Sequence, residues 1–138
     1  MSSNLRERLR VIELVAHAAL TVDTTGTGVA AGAAGPHRAM AIVDVSAVGG
    51  DADETYAITI EGSNTSISAG FALAHASGEA ATMPFTQPNG AQVATIAVDP
   101  FKWYRYVLDV AGTTPSITFG VHLVIMPSKL PTATQLAT

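Results

Sequence analysis

Tyr104-Arg105-Tyr106-Val107-Leu108-Asp109-Val110-Ala111-Gly112-Thr113-Thr114-Pro115-Ser116-Ile117-Thr118-Phe119-Gly120-Val121-His122-Leu123-Val124 decides the fold class of this chain. Before the break at 112–116, Tyr104, Tyr106, Leu108 and Val110 share one face, and Arg105, Val107 and Asp109 share the other. After it, Ile117, Phe119, Val121, Leu123 and Ile125 alternate with Thr118, Gly120 and His122. A period of two means extended backbone, because successive side chains point to opposite sides of a strand. Two such runs around a Gly/Pro turn predict an antiparallel hairpin with one wet face.

The same pattern recurs upstream. Ala41, Val43 and Val45 alternate with Met40, Ile42, Asp44 and Ser46; a polar turn at 49–54 follows, and then Tyr56, Ile58 and Ile60. This predicts a second hairpin over 40–60. Residues 17–22 read as a first strand and Thr24 to Pro36, rich in Gly, Ala and Thr, as a long loop. Phe71–Ala74 and Thr82–Thr86 read as short strands. Asn89-Gly90 is a turn signal before a strand from Gln92 to Val98, which Pro100 ends. Seven or eight short strands with regular turns predict an all-β antiparallel sandwich, or a barrel-like (jelly-roll-like) variant, in a single domain.

That domain is expected to span residues 15–126, between an N-terminal arm (1–14) and a C-terminal tail (127–138). The arm reads equally as an extended segment or as a short helix. The helix would be capped by Ser3 or Asn4, with Leu5, Leu9 and Ile12 on one stripe. The tail, with Pro, Thr and Ala and no hydrophobic period, reads as an extended or disordered arm. No internal repeat is visible.

Composition narrows the function classes. The chain has 138 residues, no cysteine, 48% hydrophobic residues and only 13% charged ones. Disulfides and thiolate metal sites are excluded. So few charges on a small domain imply that part of its surface is covered by another protein. A net charge of −4 argues against nucleic acid as a direct partner. Arg6, Arg8 and Arg10, with the single acid Glu7 among them, form the one basic cluster, suited to an acidic protein surface. No stretch has the length of a membrane-spanning helix. Glu7 and Glu13 interrupt the opening where a signal peptide would be basic and apolar, so secretion by that route is not expected.

Chemistry-bearing patterns are sparse. His17, His37, His75 and His122 are not at metal-ligand spacing and read as surface or rim histidines. Asp51, Asp53 and Glu54 lack the ligand series of a calcium loop and read as an acidic turn. Glu61 and Asp109 are isolated, and neither a nucleophile elbow nor a phosphate-binding loop is present. No cofactor and no enzymatic activity are expected. Trp103, Tyr104 and Tyr106 are the one aromatic cluster; alternation sends the tyrosines inward and Trp103 outward.

Asp44-Val45-Ser46-Ala47-Val48, Asp53-Glu54-Thr55-Tyr56, Ile60-Glu61-Gly62-Ser63, Tyr104-Arg105-Tyr106-Val107 and the run from Gly112 to Val121 together resemble a pattern in small structural proteins of tailed bacteriophages. So does the opening from Leu5-Arg6 to Val22. The resemblance covers roughly residues 5–126 and is nearest to the head decoration, or capsid cement, proteins. It implies a compact β-fold, commonly a homotrimer, on the outer capsid surface of a virion assembled in the host cytoplasm. The partners would be the major capsid protein and the protein's own copies, with no membrane. The N-terminal arm is suited to such contacts through Leu5, Arg6, Arg8, Leu9 and Arg10. Two other classes fit the pattern: a carbohydrate-binding sandwich using Trp103, and another virion subunit such as a tail-tube or head-completion protein.

Overall fold

A computed structural model describes residues 10–31, 37–49, 53–85 and 91–127. Two antiparallel sheets pack face to face as a β-sandwich, with ten strands among the described residues. The first sheet contains β1 (Arg10–Leu20), β10 (Ser116–Pro127), β4 (His37–Gly49) and β8 (Gln92–Val98), in that spatial order. The second is built on β9 (Trp103–Ala111) and β5 (Thr55–Ser63). Short strands flank that pair. β2 (Thr24–Thr25) and β3 (Val29–Ala30) lie along β9, and β6 (Ala72–Leu73) and β7 (Met83–Phe85) lie along β5.

The predicted faces are present. Tyr104, Tyr106, Leu108, Ile117, Phe119, Val121, Leu123 and Ile125 are all buried, as are Ala41, Val43, Val45, Tyr56, Ile58 and Ile60. Tyr106 meets Phe119 edge-on across the interior, with centroids 5.6 Å apart. Each fully buried side chain of this size contributes about 1.5–3 kcal/mol.

Neither predicted hairpin forms. β9 pairs with β5, and β10 pairs with β4 and β1, so the chain crosses from one sheet to the other between β9 and β10. It crosses again between β4 and β5. Alternation specifies which side of a strand is apolar, and that side faces the interior in either arrangement. The choice rests on the connection. Residues 112–115 can bridge sheets about 10 Å apart, because four extended residues reach roughly 13 Å. Two arches therefore stack, and each strand takes its partner from the other arch.

Other differences have local causes. Residues 10–14, expected in the arm, are strand, and Leu14 is buried. The pairing of β1 with β10 shifts register between Glu13 and Val15 and again between Val15 and Ala18. Such bulges break the two-residue period and hide the strand from a pattern reading. The helical alternative for the arm is overturned over Arg10–Leu14. Thr24 to Ala31 is not a plain loop, because β2 and β3 pair with β9 there. Residues 1–9, the Asn89-Gly90 turn and residues 128–138 of the tail lie outside the described residues.

Candidate functional site: the ends and outer faces of the sandwich

The arch end is closed by side-chain to backbone hydrogen bonds. Tyr56 Oη donates to the Gly49 carbonyl at 2.5 Å and accepts from the Ser116 amide at 2.9 Å, tying both arches together. Glu54, which is buried, accepts from the amide of Thr114 at 2.7 Å and from its hydroxyl at 3.3 Å. Asp53 accepts from the Thr113 hydroxyl. These two acids of the expected acidic turn brace the neighbouring arch. Glu54 Oε2 is buried and has no hydrogen-bond partner among the described residues. Gly112 takes a φ of +114°, and a Cβ there would lie 2.8 Å from Glu54 Cα. Glycine is required on both counts.

At the opposite end Tyr104 is the counterpart. Its hydroxyl donates to the Asp99 carbonyl at 2.7 Å and accepts from the Phe101 amide at 3.0 Å. Burial pushes its pKa up to about 12, against the lowering effect of the Phe101 amide and with the Asp99 charge adding to the rise. Burial also raises the pKa of Tyr106.

His75 corrects the expectation of four rim histidines. It is 6% exposed. Its Nε2 accepts from the Ile60 amide at 3.0 Å, which leaves Nδ1 to carry the proton and donate to the Ala80 carbonyl at 2.6 Å. It is a structural clamp between β5 and residues 74–80. His17 and His122 do lie on the outer surface, 3.3 Å from Asp44 and Glu13 respectively. His17 crosses closely over Gly120, where a Cβ would come 2.8 Å from its Nδ1. Among the described residues no three His, Asp or Glu side chains are grouped to hold a metal ion.

The outer face of the first sheet changes character along its strands. Pairing aligns Val11, Val124, Met40 and Ala97 in one row across all four strands. The next row is Glu13, His122, Ile42 and Thr95. Beyond the apolar row, Met126 stands opposite Arg38. Val11 is 68% exposed, and Met40 and Met126 are each 46% exposed. Arg38, Ala39, Met40, Val124 and Met126 line a groove of about 300 Å³. Among the described residues nothing covers it.

The second sheet's outer face is mixed, with an exposed Leu73 in the same row as Glu61 and Arg105. Arg105 Nε and a terminal guanidinium nitrogen both lie 2.7 Å from Glu61 Oε1, and the guanidinium rests 4.2 Å from the Phe71 ring centre. Trp103, partly exposed, lies two residues along β9 on this same side. Further along, a cleft of about 310 Å³ is lined by threonines with Asp23 and Asp109; Asp23 accepts from the Val110 amide.

Of the arm residues expected to make contacts, Leu5, Arg6, Arg8 and Leu9 lie outside the described residues. Arg10 opens β1, exposed and opposite Ile125. The first nine residues therefore lead into the end of the sheet that carries the apolar row. In the sequence pattern Met40 shares a face with Ile42, Asp44 and Ser46, opposite Ala41, Val43 and Val45, with nothing to mark it as a contact. Val11, Val124 and Met126 become its neighbours only through strand pairing. Compared with known proteins, the chain matches no family model, and no curated protein sequence is significantly similar to it. What the geometry defines is a class: a two-sheet antiparallel β-sandwich with one apolar outer row.

Proposed function

We propose that the protein is a non-enzymatic virion subunit, a decoration protein that binds the outside of a phage capsid lattice and ties neighbouring major capsid subunits together. The apolar row of Val11, Val124, Met40 and Ala97 carries this reading. It lies on a chain with only 13% charged residues, and exposed apolar area of this kind favours a protein partner. The resemblance to head decoration proteins supplies the choice of partner and the expectation of a homotrimer. A sandwich whose ends are tied by Tyr56 and Tyr104 suits the role, because several weak contacts made by one rigid body multiply.

The test is to add purified protein to capsids lacking it and image them by electron microscopy, with heat resistance measured in parallel. Regular occupancy of capsid sites and a raised disruption temperature are expected. Absence from the head, or a position in the tail, overturns the assignment.

A second reading, a carbohydrate-binding module, is favoured by Trp103 beside the Arg105–Phe71 stack. Glycan binding that Trp103→Ala abolishes, without capsid binding, would establish it in place of the first.

A further inference from the structure

We infer that the apolar groove on the first sheet receives the N-terminal segment, residues 1–9, of a second copy of this chain. The groove's lining is apolar apart from Arg38, and it opens at the end of the sheet where β1 begins. The segment that precedes β1 has matching chemistry. Leu5 and Leu9 are four residues apart, a spacing that puts both on one side whether the backbone is extended or helical. Glu7 lies between them, suited to Arg38 at the groove wall. Arg6 and Arg8 are suited to Glu13, in the row beside the groove, and to Asp44, one row beyond, whose side chains are 54% and 50% exposed.

The sequence also favours a second copy over the segment's own sheet. From Leu5 to Arg10 there is no Gly, Pro, Asn, Asp or Ser. Those residues supply the dihedral angles and local hydrogen bonds of tight turns. Reaching its own groove would require a reversal just before β1, which this composition disfavours, whereas the groove of a second copy requires none. Leucine burial would carry the affinity, since exposed ion pairs contribute little and act mainly on encounter rate.

This contact deepens the proposed assembly role but does not require a capsid, so it is tested on purified protein. The chain has no native cysteine, which makes disulfide trapping unambiguous. Leu5→Cys protein is mixed with Met40→Cys protein under mild oxidation. Leu5→Cys with Thr55→Cys, exposed on the second sheet, is the background. Circular dichroism confirms that each variant is folded. Cross-linked heterodimer should form about tenfold faster or more with Met40→Cys than with Thr55→Cys, because docking raises the local thiol concentration. Equal rates, or dominance of Leu5→Cys pairs, overturn the inference. So does a Leu5→Cys/Met40→Cys double variant that closes only within one chain. Decoration of capsids by the unmodified protein is scored separately, so either idea can fail while the other stands.

Discussion

Tyr56 and Tyr104 sit at opposite ends of the same interior and do the same chemistry with different reach. Each hydroxyl donates to one backbone carbonyl and accepts from one backbone amide. Tyr56 joins Gly49 to Ser116, residues far apart in the chain and on different arches. Tyr104 joins Asp99 to Phe101, both within its own approach to β9. One tyrosine holds the tertiary arrangement and the other shapes a local corner. The surfaces differ in the same sense. At the arch end, side chains of Asp53, Glu54 and Tyr56 are spent on the chain itself. At the other end of the first sheet, Met40, Val124 and Met126 are left facing outward. The first end is tied to itself, and the second leaves apolar side chains exposed.

The interior common to both ends sets the largest expected effect. Phe119→Ala should destabilise the fold by about 3–5 kcal/mol in chemical denaturation, through lost burial and the cavity facing Tyr106. A loss under about 1 kcal/mol would mean that the sheets are not packed through this ring.

Tyr56→Phe tests the long-range tie. It leaves the Gly49 carbonyl and the Ser116 amide without their partner, and should cost about 1–3 kcal/mol. Tyr104→Phe should cost less, because Asp99 is exposed and water can replace the hydroxyl. Equal losses would remove the distinction between the two ends.

Titration sharpens it further. The folded-state pKa of Tyr104 is raised to about 12 from an ordinary value of 10.0. The protonated form is therefore favoured by folding. Its contribution is fully present below pH 10 and is lost as pH rises from about 10 to about 12. The loss should be about 1–2 kcal/mol once solvent screening is allowed for. Alkaline denaturation of Tyr104→Phe should lack this component.

The smallest effect on stability belongs to the open face. Met40→Ser should change folding stability by no more than about 0.5 kcal/mol, because Met40 is exposed. It should nevertheless weaken self-association in light scattering and reduce capsid occupancy. Loss of stability with unchanged association would make the row a structural feature and not a contact surface.

Alternation in 40–60 and 104–125 determined the fold class and most of the core. Hydrophobic side chains on a strand must share a side to share an interior, and that requirement is local enough to be written in consecutive residues. The grouping of Met40 with Asp44 and Ser46, opposite Val43 and Val45, was legible for the same reason. β1 was only partly visible, since its bulges break the alternation after Leu14: Val15, the very next residue, takes the inward register opposite Val121. His75 was read as a rim residue because a single histidine carries no pattern; its burial depends on Ile60 and Ala80, which the fold brings to it. Strand pairing was decided only in three dimensions. A Gly/Pro break of a few residues can turn a hairpin or cross between sheets, and the energy that selects crossing comes from distant partners: β4 for β10, and β5 for β9. The apolar row follows from that choice, because Val11, Val124, Met40 and Ala97 are far apart in the chain and meet only when four strands align.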